Sequence, residues 1–213
     1  MSKLRLSISM SLDGYAAAPG QSEENPIGVG GMELHEWVFP LKQFQAMHGG
    51  GEGGVTNASS AVVEERWVNI GATIMGRNMF GPVRGPWPDE SWRGWWGENP
   101  PFHHPTFVVT HHPREPLVME GGTTFYFVHD IETALAQARE AAQGQDVSLG
   151  GGASVVNQYL AAGLVDEMEI SIAPVILGAG ERLFEGLARS SLALRQLRAV
   201  EAPGVTHIKY AVG

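Results

Sequence analysis

A chain of 213 residues with 43% apolar and 17% charged side chains can bury a full core, and it fits neither a disordered nor a coiled-coil protein. Its 14 lysines and arginines against 23 aspartates and glutamates leave a net charge of -9, which repels a phosphate backbone and sets nucleic acid aside as a partner. With no cysteine, disulfides, thiolate metal sites and cysteine nucleophiles are excluded together; no signal-type block or run of 18 apolar residues occurs, which predicts a cytoplasmic protein without membrane contact.

Leu4, Leu6, Ile8, Met10 and Leu12 alternate with polar residues, a strand that ends at the turn signal Asp13-Gly14. Residues 19 to 56 are irregular, with a helix expected around Glu33 to Met47. The tract Gly49 to Gly54 follows no clear strand and lacks a Lys-Ser/Thr ending, so it reads as a flexible loop rather than a phosphate loop. From Ser59, the apolar residues Val62, Val63, Trp67 and Ile70 share a helical face that Gly71 is expected to stop. A short strand, Thr73 to Met75, then runs into Gly76-Arg77-Asn78, and a tract from Gly85 to Phe102 carries Trp87, Trp92, Trp95 and Trp96.

Thr106 to Thr110 and Thr124 to Val128 read as strands. Asp130 can cap a helix whose buried stripe is Ile131, Ala134, Leu135, Ala138 and Ala142. Asp146 to Leu149 is another strand, followed by Gly150-Gly-Gly-Ala-Ser154 and a helix to about Ala162. Met168, Ile170 and Ile172 alternate with Glu167, Glu169 and Ser171, and Leu192 to Val200 with Val205 to Val212 form a closing antiparallel pair. The sum is an α/β fold in three layers: a mixed, mostly parallel sheet of about eight strands with helices on both faces.

Three strand ends can carry chemistry. At Gly150 to Ser154 a strand passes through three glycines straight into a helix, so bare amides and the positive helix end converge; the segment is either a pyrophosphate cradle or a tight turn. Arg77 stands where a guanidinium can grip a phosphate in two places, or where it makes an ordinary surface salt bridge. Thr110, His111 and His112 end a strand at the usual position of ligand contacts. The pairs His103-His104 and His111-His112 lack metal-ligand spacing, and no metal is expected. The tryptophan-rich tract can cover a pocket, bury itself at a subunit interface or pack into the core.

Taken in order, Ser11-Leu-Asp-Gly14, Met75-Gly-Arg77, Val109-Thr110, Gly150-Gly-Gly152, Leu164-Val-Asp-Glu167 and Ala173-Pro-Val-Ile-Leu-Gly178 resemble the dihydrofolate reductase-like superfamily. The branch is that of the C-terminal reductase domain of the riboflavin-pathway enzyme RibD. The resemblance runs nearly end to end and implies one domain over residues 1–213 that binds NADPH across the strand ends. Gly76, Arg77 and Asn78 would meet its phosphates. Thr110, His111 and His112 would surround the adenosine end and 2'-phosphate. Gly150, Gly151, Gly152, Ala153, Ser154 and Val155 would hold the pyrophosphate, with two of the glycines joined by a cis peptide.

Asp13 is the catalytic candidate, for orienting substrate or supplying a proton. Tyr15, Trp37 and Glu36, with Glu33 as alternative to Glu36, are the substrate candidates. Tyr15 stands where this branch usually has lysine, and no motif marks the carboxylate that holds the pteridine in folate reductases. The implied activity is hydride transfer from NADPH to a C=N or C=O bond of a small pteridine-, pyrimidine- or sugar-derived substrate. The alternatives are a nucleotide-binding protein on this fold without turnover, and a partner-binding protein that uses the tryptophan-rich loop. A homodimer pairing through Glu169 to Leu177 and the C-terminal strands is expected.

Overall fold

The computed structural model describes residues 2–48, 53–82, 84–188 and 192–213. Residues 49–52 of the glycine tract lie outside them, and the loop reading of that tract with them. The strands are β1 Leu4–Ser11, β2 Tyr15–Ala17, β3 Ile70–Gly76, β4 Pro105–Val109, β5 Leu117–Val118, β6 Thr124–Val128, β7 Asp146–Leu149, β8 Glu167–Ala173, β9 Glu181–Arg182, β10 Leu194–Ala202 and β11 Val205–Val212. The helices are α1 Lys42–Met47, α2 Ala58–Trp67, α3 Arg77–Phe80, α4 Ile131–Ala141 and α5 Ala153–Ala161, with a 3-10 turn at Gly31–His35.

Among the described residues nine strands form the main sheet in the order β10-β11-β8-β1-β7-β3-β4-β6-β5, one more than the approximate count from periodicity, and β2 pairs separately with β9. From β8 to β6 every pairing is parallel, while β11 and β5 run antiparallel to their neighbours β8 and β6. Strand-helix alternation over the middle of the chain dictates this, because parallel neighbours need crossovers and the helices serve as those crossovers.

Two elements differ from the periodicity reading. The helix expected over 33 to 47 is broken into the 3-10 turn and α1, since Pro40 removes an amide donor and pushes the residue before it out of helical geometry. The helix expected to reach Gly71 ends at Trp67. Asn69, at φ 61°, takes the left-handed position, and Ile70 already pairs with Asp146 in the sheet. Gly71 is small for another reason: a Cβ there would come within 2.7 Å of the Ala142 carbonyl oxygen, where α4 ends against β3.

The two faces of the sheet are covered differently. On one, α4 and α5 pack over Leu4, Leu6, Ala72, Ile74, Phe107, Val147 and Leu149 in a continuous core. The Asp130 carboxylate accepts from the Thr133 amide at 2.7 Å, and Ile131, Ala134, Leu135, Ala138 and Ala142 are all buried, as the stripe predicts. The opposite face carries two separate clusters. One gathers Met75, Phe80, Val108, Phe125 and Phe127 with Trp87, Trp92 and Trp96; the other joins Trp37, Val38, Leu41, Val63 and Val205. The tryptophan-rich tract therefore supplies core to the first of these.

Alternation puts Ser7, Ser9 and Thr73 on this second face, opposite Leu6 and Ile74, so a polar seam runs between the two clusters. β8 buries polar residues of its alternation as well as apolar ones. It lies between β11 and β1, so Glu169 is only 5% exposed and Ser171 fully buried. Within Glu169 to Ala173 only Ile172 is partly exposed. Among the described residues of that half the exposed large apolar side chains are Ile176, Phe184, Leu194 and Leu197, at 67%, 37%, 49% and 41% exposure.

Candidate active site

The glycine segment is stitched to the end of β3. The Gly76 amide donates to the Gly151 carbonyl at 2.7 Å and the Gly150 amide to the Ile74 carbonyl at 2.9 Å. The Gly151–Gly152 peptide is cis, and none of the three glycines has a positive φ, so left-handed geometry is not what the triplet is for. A Cβ on Gly151 would meet only the Met79 sulfur at 3.7 Å, and one on Gly152 only the Asn78 Cβ at 3.9 Å. Bare backbone thus faces open space, and α5 begins at once behind it with no side chain capping its amides. An anion is drawn to such a helix start.

That space is one cleft of about 1810 Å³. All twelve residues singled out for cofactor contact line it: Gly76, Arg77, Asn78, Thr110, His111, His112, Gly150, Gly151, Gly152, Ala153, Ser154 and Val155. They converge because β3, β4 and β7 are parallel neighbours, which puts their carboxyl ends and the loops after them on one edge. Arg77 makes no salt bridge among the described residues; its Nη1 donates to the Gly85 carbonyl at 3.3 Å, while Nε and Nη2 are buried without a partner. Burial first, and then the neighbouring charge of Arg114, lower its pKa to about 10, which leaves it cationic at neutral pH.

Of the substrate candidates, Trp37 alone lines the cleft, its indole N–H held by the Leu34 carbonyl at 3.0 Å. Glu33 and Glu36 are exposed and outside it, because the 3-10 turn buries Gly31 and Leu34 and so turns both glutamates to solvent. Tyr15 is also outside; its ring lies under the Arg182 guanidinium at 5.0 Å, and Ala16 and Ala17 line the cleft in its place. Asp13 does not line the cleft. Its carboxylate accepts from Ser11 Oγ at 2.6 Å and from the Leu177 and Gly178 amides at 3.1 and 2.7 Å, bonds that hold its pKa down to about 2, with the Ser11 bond foremost. A carboxylate that acidic is a poor proton donor near pH 7.

The polar seam brings together residues that no motif marked. Ser7, Ser9, His35, Arg66 and Trp67 line the cleft beside Trp37. Arg66 Nη2 donates to Ser171 Oγ at 2.7 Å, its Nε is buried without a partner among the described residues, and its guanidinium lies 5.4 Å from the Trp37 ring centre. Burial, and then the charge of Arg66, lower His35 to about pKa 4, so its imidazole is neutral. The sequence carries only the polar alternation Arg5, Ser7, Ser9 and Ser11, which points to a buried seam once β1 is known to lie inside the sheet. Among the described lining residues, Arg66, Arg77 and Arg84 face a single carboxylate, Glu181, which pairs with Arg84 at 2.7 Å. The cleft is cationic in a protein of net charge -9.

A family model, the RibD C-terminal domain, matches residues 2–207. The chain belongs to the RibD C-terminal domain family. As a RibD C-terminal domain it is similar over its whole length to a protein of Shewanella sp. PV-4 assigned to riboflavin biosynthesis, with 21% identity, 99% of that chain covered and a TM-score of 0.63. It is also similar to the diaminohydroxyphosphoribosylaminopyrimidine deaminase/5-amino-6-(5-phosphoribosylamino)uracil reductase of Thermotoga maritima, with 11% identity and a TM-score of 0.58; there this chain is covered fully but spans 57% of the other. Dihydrofolate reductase from Enterococcus faecalis, in complex with NADP(H), matches 99% of this chain and 96% of its own, with 14% identity and a TM-score of 0.54. These likenesses establish the mixed, mostly parallel dihydrofolate reductase-like fold. The uncharacterized protein YyaP of Bacillus subtilis (strain 168) is 51% identical over 41 residues, a match that covers 19% of this RibD C-terminal domain and 22% of that relative.

Proposed function

We propose that this protein is an NADPH-dependent reductase that delivers hydride to a C=N or C=O bond of a small substrate. The observation that carries the reading is the bare glycine edge at Gly151 and Gly152, set against the uncapped start of α5 and beside an arginine whose buried N–H groups have no partner among the described residues. A pyrophosphate suits the glycines and helix start, and a phosphate monoester suits Arg77 with Thr110 to His112. When bound, NADPH supplies the hydride. The chain's own residues hold and orient: the glycine edge lets the cofactor lie against backbone, and the seam of Ser7, Ser9, His35 and Arg66 receives the substrate. Asp13 is a positioning residue that ties the first turn to Leu177 and Gly178, and the proton comes from water.

Within the class of pteridine-, pyrimidine- and sugar-derived substrates, the seam favours those that present acceptor oxygens. Arg66 and the serines offer donors, whereas no carboxylate on the described wall is free to hold a protonated pteridine. The uracil derivative named for the Thermotoga relative is of this acceptor-rich kind.

Calorimetric titration with NADPH and NADH tests the cofactor assignment. Wild type is expected to prefer NADPH, and Arg77→Ala to weaken NADPH by about 1.5–3 kcal/mol while leaving NADH nearly unchanged. An equal loss for both cofactors, or none for either, removes Arg77 from the site. NADPH oxidation in the presence of pyrimidine and sugar-derived carbonyl compounds separates a reductase from a protein that only binds.

The reading includes a homodimer of one-domain chains that uses the outer surface around Ile176, Leu194 and Leu197. Light scattering at micromolar concentration should return about twice the 22.9 kDa of the monomer; the monomer mass would refute it.

A further inference from the structure

Trp87 joins the two segments proposed to take the cofactor phosphate. The Arg77 guanidinium lies 3.0 Å from its ring centre, and its indole N–H donates to the His112 carbonyl at 2.6 Å. The Arg114 guanidinium lies 4.2 Å from the same ring and 4.5 Å from that of Phe127, and its Nη2 donates to the Trp92 carbonyl at 2.6 Å. β3 and β4 are paired up to Gly76 and Val109. Beyond that point the sheet no longer sets the spacing, since the chain enters α3 on one side and a turn at Thr110 to His112 on the other. An unheld arginine samples many rotamers; one stacked on a fixed indole does not.

The charges around the ring also point to a ligand. Among the described residues neither Arg77 nor Arg114 makes a salt bridge, and there buried N–H groups of both have no partner: Nε and Nη2 of Arg77, and Nη1 of Arg114. Two like charges beside one indole repel each other, and a dianion bound by Arg77 relieves that repulsion. The geometry points to Trp87 as a positioning residue that determines cofactor specificity: it holds Arg77 facing the Thr110 to His112 segment, so that a phosphate monoester, the 2'-phosphate of NADPH, is gripped between them. This rests on the NADPH reading above. The tryptophan-rich tract then acts as a bracket at the adenosine end of the cleft.

The test is calorimetric titration of wild type, Trp87→Leu and Trp87→Phe with NADPH, NADH and adenosine 2',5'-bisphosphate, with a thermal melt of each preparation. Trp87→Leu should lose at least about ten-fold in affinity for NADPH and the bisphosphate and less than about two-fold for NADH. Trp87→Phe keeps a ring under Arg77 but loses the tie to His112, so its NADPH-to-NADH ratio should fall between the other two. If the leucine variant does not fold, the phenylalanine variant decides. A folded variant of either kind that keeps the wild-type ratio overturns the bracket. Wild type that binds neither dinucleotide overturns the cofactor reading itself, a result distinct from a preserved ratio.

Discussion

Gly151→Ala is expected to raise the NADPH dissociation constant more than ten-fold while leaving the melting temperature close to that of wild type. Within the fold the new methyl group meets only the Met79 sulfur, at 3.7 Å, which is ordinary van der Waals contact, and Gly151 has no positive φ for a side chain to strain. In the cleft the same methyl occupies the space through which a pyrophosphate must reach the backbone. Gly76→Ala makes the contrasting case. Its Cβ would sit 3.0 Å from Val155 Cγ2 and 3.2 Å from the Gly152 amide nitrogen, so that substitution should cost stability as well as affinity. NADPH titration by fluorescence beside a thermal melt of the same preparations separates the two effects. A folded Gly151→Ala protein that binds NADPH as tightly as wild type eliminates the phosphate cradle.

The second large effect is an acid-side loss of stability above the pH at which carboxylates titrate. His207 is fully buried, bridging Ser59 Oγ and Ser171 Oγ at 2.8 Å each, and its pKa falls to about 4 through burial and then the charges of Arg66 and Arg198. His35 and His104 fall to about 4 as well, by burial first and then by Arg66 and His103 respectively. Each is neutral in the fold, whereas the unfolded chain takes up a proton near the ordinary value of 6.5. The unfolded state therefore binds more protons between these values. Stability is complete above about pH 6.5 and is lost as pH falls toward 4, with His207 alone contributing on the order of 3 kcal/mol.

Urea denaturation at pH 7 and pH 4.5 measures that loss. His207→Gln should start less stable at pH 7 yet lose less between the two values, because the titrating group is gone. A slope unchanged by the substitution removes His207 as its source. Glu65 and Glu167 act in a lower window. Burial opposes their charge, but the Lys209, Arg198 and Lys3 partners outweigh it and depress their pKa values, so what they contribute is complete above the ordinary carboxylate value of 4.5 and is lost as pH falls from there through their lower folded values.

Much of the wall proposed for the cofactor was legible residue by residue. Gly150 to Gly152 lie between a strand and a helix that periodicity located, and Arg77 follows another strand; a bare backbone and a guanidinium at strand ends carry their meaning locally. The substrate side was legible only in part. Trp37 reaches the cleft, but Glu36 has only its carboxylate to recommend it, and the turn that points it to solvent depends on Leu34 finding a core. Arg66 reads in sequence as one more charge on a helix, because the partner that holds it at the cleft is Ser171, 105 residues away in sequence.

The sequence by itself determined the elements whose cause is local: β6 and β7 at their observed bounds, the Asp130 cap with its stripe on α4, and the glycine-to-helix start of α5. Hydrogen-bonding periodicity, caps and backbone freedom act within a few residues, so the amino-acid order suffices for them. Tertiary structure alone decided that β8 and β1 lie inside the sheet, that Ser7, Ser9 and Ser171 therefore face a buried polar seam, and that Trp87 stands between Arg77 and His112. Those outcomes depend on which distant segments pair. A strand's alternation reads the same whether its polar face meets water or the wall of a cleft, and only the order of strands in the sheet distinguishes the two.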